Sequence, residues 1–130
     1  MSEKVLLIDD DARLVGALQI RLERAGYEVQ TAENGDQGLS LAALFQPDAI
    51  ILDIRMPKMD GFEVCQIMRT VPELVDVPII ILSASGETGT QKAILDAGGK
   101  LFLRKPYHLP QLLSILREVI DGRARTKCPA

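Results

Sequence analysis

Asp9, Asp10 and Asp11 follow a short aliphatic run, Val5–Ile8, and Asp53 follows a second, Ala49–Leu52. Ser83 and Lys105 come directly after two more strand-like stretches, Ile79–Leu82 and Leu101–Arg104. Strand propensity does not call for carboxylates at such positions. A single acid at a strand end commonly serves as a turn residue or helix cap, and Asp11 suits that role just before Ala12. Asp9, Asp10 and Asp53 differ if the fold gathers them, because like charges repel across a partly desolvated cleft. A divalent cation relieves that repulsion. Carboxylate oxygens plus water suit Mg²⁺, which keeps several of its waters and takes few protein ligands. With Lys105 added, the charges of metal and lysine balance the three carboxylates, leaving a site able to take a dianionic phosphoryl group. Metal and lysine would neutralise the equatorial oxygens during in-line transfer, and the Ser83 hydroxyl could hold one of them afterward. One carboxylate must attack phosphorus, and aspartate is an established covalent phosphoryl acceptor. Asp53 stands alone at its strand end, whereas Asp9 and Asp10 form a ready-made metal pair. Asp53 is therefore the candidate nucleophile.

These acids are useful only if strand ends converge, and the rest of the pattern says that they do. Ala49–Leu52 and Ile79–Leu82 are continuous, Ile-rich runs, as expected of parallel strands buried on both faces. Tyr27–Ala32 alternates apolar and polar residues in its first half and reads as a strand nearer an edge. Between the strands lie helical periods. Leu14, Leu18 and Leu22 mark the first, with Gly26 placed for a left-handed C-terminal cap. Leu39, Ala42 and Ala43 mark a second, after an Asn34-Gly35-Asp36 turn and before Pro47. Phe62, Cys65 and Met68 suggest a third, and Ala93, Ile94 and Ala97 a fourth, closed by Gly98-Gly99. Leu109, Leu112, Leu113, Leu116, Val119 and Ile120 form the clearest stripe, with Pro110 tolerated in the first turn. Fivefold strand–helix alternation predicts an α/β fold: a doubly wound, five-stranded parallel sheet with helices on both faces. In such sheets chemistry gathers beyond the C-terminal ends of the strands.

The chain has 130 residues, and fifteen Lys and Arg against eighteen Asp and Glu leave a net charge of −3. That length fits one domain with a core that needs no metal or disulfide staple. The four-residue aliphatic runs are far short of the roughly 20 residues of a membrane helix, and no signal-peptide core is present. Up to Asp121 twelve basic residues face all eighteen acids, a net of −6, which argues against nucleic-acid binding by the body. Arg123, Arg125 and Lys127 give the remainder +3. The expected division is a domain over residues 1–121 and a flexible tail over 122–130. Cys65 and Cys128 form no CxxC pair and read as thiols of a cytoplasmic protein, Cys65 as a small buried hydrophobe.

The residues resemble the receiver domain of two-component response regulators, including the chemotaxis-regulator type. Val5–Asp11 is similar to that family's first strand and acidic pair. Ile51–Gly61 is similar to its phosphoacceptor strand and loop, Ile81–Ala84 to its hydroxyl motif, and Leu103–Tyr107 to its Lys-Pro motif. Each motif alone is weak; four in order and in register, from about Lys4 to Asp121, are specific. The resemblance implies a flavodoxin-like (βα)5 fold with strand order 2-1-3-4-5. It implies Asp53 as the residue phosphorylated by a sensor histidine kinase, phosphotransfer protein or small phosphodonor. It also implies Mg²⁺ held by Asp10, Asp53 and the backbone carbonyl of Arg55, with Asp9 acting mostly through a metal-bound water. Ser83 would bond the phosphoryl group and Lys105 would pair with it. A cis peptide is implied before Pro106, where sequence alone gives only about 5–6%. Phosphorylation adds charge and acceptors at the cleft, and the resemblance implies a switch in which Ser83 moves toward the phosphoryl group and Phe102 turns inward. The implied partners are the kinase and a downstream protein target or output domain, with the receiver a monomer or a phosphorylation-dependent dimer and no contact with nucleic acid or membrane. It would be a phosphoacceptor rather than an enzyme, catalysing only its own phosphorylation and dephosphorylation. The chain would be either a single-domain regulator or the receiver of a longer protein.

Rival chemistries fit worse. An aspartate-nucleophile phosphatase of the haloacid dehalogenase type would need an acid two residues after Asp53, where Arg55 stands. Gly86-Glu87-Thr88-Gly89 lacks the Gly-Lys-Ser/Thr ending of a phosphate-cradling loop. His108, the single histidine, lies at a helix start and reads as a surface residue, unsuited to phosphotransfer or to activating Ser83.

Overall fold

The computed structural model describes residues 3–53, 61–83, 101–104 and 108–127. Its elements are β1 (Lys4–Ile8), α1 (Ala12–Arg24), β2 (Glu28–Ala32), α2 (Gly35–Phe45), β3 (Ala49–Asp53), α3 (Gly61–Met68), β4 (Ile79–Ser83), β5 (Leu101–Arg104) and α4 (Leu109–Lys127). The strands form one sheet in the order β2-β1-β3-β4-β5, and every neighbouring pair is parallel. This is the expected doubly wound topology. The helix expected around Ala93, Ile94 and Ala97 lies outside the described residues.

Alternation along each strand splits the core into two layers. Val5, Leu7, Val29, Ile51, Ile80, Leu82 and Leu103 face the side covered by Leu22 of α1 and Leu112, Leu116, Val119 and Ile120 of α4. Leu6, Ile8, Ala32, Ile50, Leu52, Ile79 and Ile81 face the other side, against Ala42 of α2 and Val64, Cys65 and Met68 of α3. Eight of the eleven largest fully buried side chains among the described residues belong to β1, β3 and β4. The three middle strands therefore anchor the fold, and truncating one of their Leu or Ile side chains to Ala costs about 2–5 kcal/mol. Cys65 is fully buried, as its place on the helix predicted. No helix among the described residues is long and apolar enough to cross a membrane.

Local chemistry sets the helix ends. Asp11 caps α1, its side chain accepting from the N–H groups of Arg13 and Leu14 at 3.1 and 3.3 Å. The helix leaves through Gly26 at φ +103°, a conformation that favours glycine. Asn34 accepts from the Gln37 N–H at 2.9 Å, while the Gln37 side chain accepts from the Glu33 N–H at 2.7 Å. The Asn34-Gly35-Asp36 sequence is therefore the cap and first turn of α2 rather than a separate turn before it. Lys4 ties the far end of α2 to β1: its Nζ donates to the Phe45 carbonyl at 3.3 Å and lies 5.3 Å from that ring's centroid.

Helix α4 runs through Gly122 to Lys127. One glycine inside a helix costs about 1 kcal/mol relative to alanine. Arg, Ala and Lys, which follow it in the sequence, rank high in helix propensity.

Candidate functional site

The sheet register builds the site directly. Ile8 pairs with Leu52, so the next residue on each strand, Asp9 and Asp53, emerges side by side from β1 and β3. From β1 the chain crosses to β2 by α1 on one face, while α2 and α3 cover the other. The β1/β3 boundary is thus the place where the winding reverses, and crevices form beyond strand ends at such a point.

Carboxylate oxygens of Asp9, Asp10 and Asp53 lie within 4.8 Å of one another. Their exposure is graded. Asp10 is exposed, Asp9 is half-buried, and Asp53 is only 8% exposed, the one buried charged side chain among the described residues. The main chain fixes Asp9 on both sides: its N–H donates to the Ala32 carbonyl at 3.0 Å, and its Oδ1 accepts the Asp11 N–H at 3.0 Å. An all-oxygen donor set, one member buried and one open to solvent, fits Mg²⁺ with part of its water shell retained. The Asp11 amide thus fixes the orientation of the Asp9 carboxylate.

The other expected site residues are placed less completely. Ser83 ends β4, with its Cα in register beside Arg104 of β5, and Phe102 pairs with Ile81. Since Asp53 pairs with Leu82, Ser83 lies one position further along the neighbouring strand. Arg55, Lys105 and Pro106 lie outside the described residues. Asp11 serves as the helix cap it was expected to be, and His108 is exposed with its carbonyl accepting the Leu112 N–H at 3.1 Å.

Sequence reasoning missed two polar assemblies away from the crevice. Arg117 of α4 donates through Nη1 to Glu3 at 2.7 Å, through Nη2 to the second oxygen of Glu3, and through Nε and Nη2 to Asp121 at 3.1 and 2.9 Å. Arg69 closes the loop after α3 by donating to the carbonyls of Val75 and Val77. Only the Arg117–Asp121 half, four residues apart on one helix, had a local signal.

Residues 5–117 match the family model of the response regulator receiver domain. The DNA-binding dual master transcriptional regulator RpaA of Synechocystis sp. is 38% identical over 117 residues, covering 90% of this chain and 48% of that protein. The chain spans about half the length of the curated relatives it matches. Among solved structures, the chemotaxis response regulator CheY4 of Vibrio cholerae superposes with a TM-score of 0.87 at 32% identity, covering 92% of this chain and 99% of that one. The receiver domain of the sensor histidine kinase PA1611 from Pseudomonas aeruginosa superposes at 0.86 with 30% identity, covering 93% and 99%; it has a magnesium ion coordinated in its active-site cleft.

Proposed function

Because the chain belongs to the response-regulator receiver family, we propose that Asp53 is its phosphoacceptor. The phosphoryl group comes from a phosphohistidine on a sensor kinase or phosphotransfer protein, or from a small phosphodonor. The observation that carries this reading is the meeting of Asp9, Asp10 and Asp53 within 4.8 Å at the reversal point of the sheet. An Asp53 carboxylate oxygen attacks phosphorus in line with the departing group. The N–P bond to the histidine breaks, its electron pair returns to the imidazole nitrogen, and an acyl phosphate forms. Mg²⁺, when bound, supplies positive charge to the phosphoryl oxygens. Asp10, Asp53 and the Arg55 carbonyl would hold it directly, and Asp9 would act through a water. Burial of Asp53 beside the solvent-facing Asp10 suits a nucleophile approached from one side only.

Lys105 follows β5 directly, from where its ammonium can pair with the phosphoryl group, and the Ser83 hydroxyl donates to that group once Asp53 is modified. The added charge draws Ser83 in and lets Phe102 turn inward, changing the surface offered to a downstream target or output domain. The setting is cytoplasmic signalling.

Incubation with acetyl phosphate and Mg²⁺ should add the mass of one phosphoryl group to the wild-type chain and none to Asp53→Asn. Equal uptake by both would remove Asp53 from this role. Lys105→Ala should still take up phosphate while losing phosphorylation-dependent partner binding, and unaltered binding would remove the ion pair.

A further inference from the structure

We propose that Gly38 is a positioning residue for the metal site, acting through Ile8; this rests on the Mg²⁺ reading of the acidic cluster. Gly38 is buried in α2, where that helix crosses the end of β1. A Cβ at this position would lie 2.5 Å from Ile8 Cδ1, 2.9 Å from Cγ1 and 3.2 Å from Cγ2. These distances are far inside van der Waals contact, and all three involve one side chain. Ile8 has little room to yield. It is 1% exposed, β-branched and stiff at χ1, and packed in the same layer as Leu52, Ala32 and Ala42.

What Ile8 does matters because of its neighbours. It is the last residue of β1, its Cα is in register with Ala32 and Leu52, and Asp9 and Asp10 follow it. The hydrogen bond from the Asp9 N–H to the Ala32 carbonyl is the next rung of that ladder. A displacement of Ile8 is therefore passed to Asp9 through one peptide bond and to Asp10 through two. The missing side chain at Gly38 lets a full isoleucine fill the layer while the end of β1 stays in register with Asp53. Ile8 and Gly38 form a large–small pair that sets the spacing of the carboxylates.

The prediction has a specific rescue. Gly38→Ala should weaken Mg²⁺ binding on the order of tenfold, as loss of an outer contact does. It should also move the backbone amide resonances of Asp9 and Asp10 in metal-free protein. Ile8→Val removes Cδ1, the atom nearest the added Cβ, and leaves Cγ1 and Cγ2, so Ile8→Val with Gly38→Ala should recover part of the loss in both readouts. A folded Gly38→Ala chain with wild-type Mg²⁺ affinity and unmoved Asp9 and Asp10 amides overturns the proposal. Should Gly38→Ala not fold, the double variant decides. A folded double variant that binds Mg²⁺ within about tenfold of Ile8→Val supports the pair, and weaker binding or a second failure to fold overturns it. Calorimetric Mg²⁺ titration of the wild type runs alongside, and no binding there refutes the metal reading itself rather than the Gly38 contact.

Discussion

The Asp11 backbone N–H donates to Oδ1 of Asp9 at 3.0 Å, while the Asp11 side chain turns the other way to cap α1. One residue thereby serves the site with its main chain and the helix with its carboxylate. Asp11→Ala keeps the amide and loses the cap. It should cost about 1 kcal/mol in urea unfolding while leaving Mg²⁺ affinity within about threefold of wild type. A large affinity loss would show that the carboxylate itself belongs to the metal site.

Three carboxylates gathered within 4.8 Å repel one another, and a bound cation relieves that repulsion. Asp10→Asn removes one charge from a group within 4.8 Å. The metal-free variant should be at least as stable as wild type, with a gain of up to about 1 kcal/mol, the scale of two charges roughly 4 Å apart in bulk water. Wild-type Tm should climb as Mg²⁺ is raised, with about 1.4 kcal/mol gained per tenfold excess over Kd, and Asp10→Asn should be nearly insensitive. Thermal scans with and without Mg²⁺ check both halves.

The Arg117 bridge sets a pH signature far from the crevice. Its hydrogen bond to Glu3, aided by its charge, holds the Glu3 carboxyl below its usual range against a smaller opposing effect of burial. Since the folded value is depressed, the bridge stabilises above the unfolded carboxylate pKa, about 4.3. That contribution fades as pH falls through the folded value. Both partners are more than a third exposed, so Arg117→Ala should cost at most about 1 kcal/mol at neutral pH. The gap between variant and wild type should close under acid. A pH series of unfolding midpoints reads this directly.

Tyr27 titrates in the opposite sense. Burial pushes its phenol upward, so the neutral ring is the folded form. Its contribution is present below the unfolded phenol pKa, about 10, and is lost as pH rises through the higher folded value. Tyr27→Phe should therefore flatten the alkaline limb of the stability profile. An unchanged limb would place that loss elsewhere.

Much of this was legible in the residues because the signals were local. Continuous Ile-rich runs marked strands buried on both faces, and Asp9 and Asp53 followed runs that had to be parallel neighbours. Asp11, Gly26 and the stripe from Leu109 to Ile120 carried their own capping and periodic signatures. What escaped depended on distance in sequence or on context. Glu3 and Arg117 meet across 114 positions, and nothing near either announces the other. Gln46 takes a left-handed φ of 51° at the end of α2, although it is not glycine. The extension of α4 through Gly122 was obscured by a residue usually read as a stop. The closeness of Gly38 to Ile8 is a matter of packing, and no periodicity reports it.

The central claim concerns which atom takes the phosphoryl group. After exposure to acetyl phosphate, borohydride reduction converts an aspartyl phosphate to homoserine, and peptide mass spectrometry locates it. The account predicts homoserine at position 53, formed with Mg²⁺ and absent without it. Homoserine at position 9 or 10, or equal yield at 53 in the presence of a chelator, would contradict it.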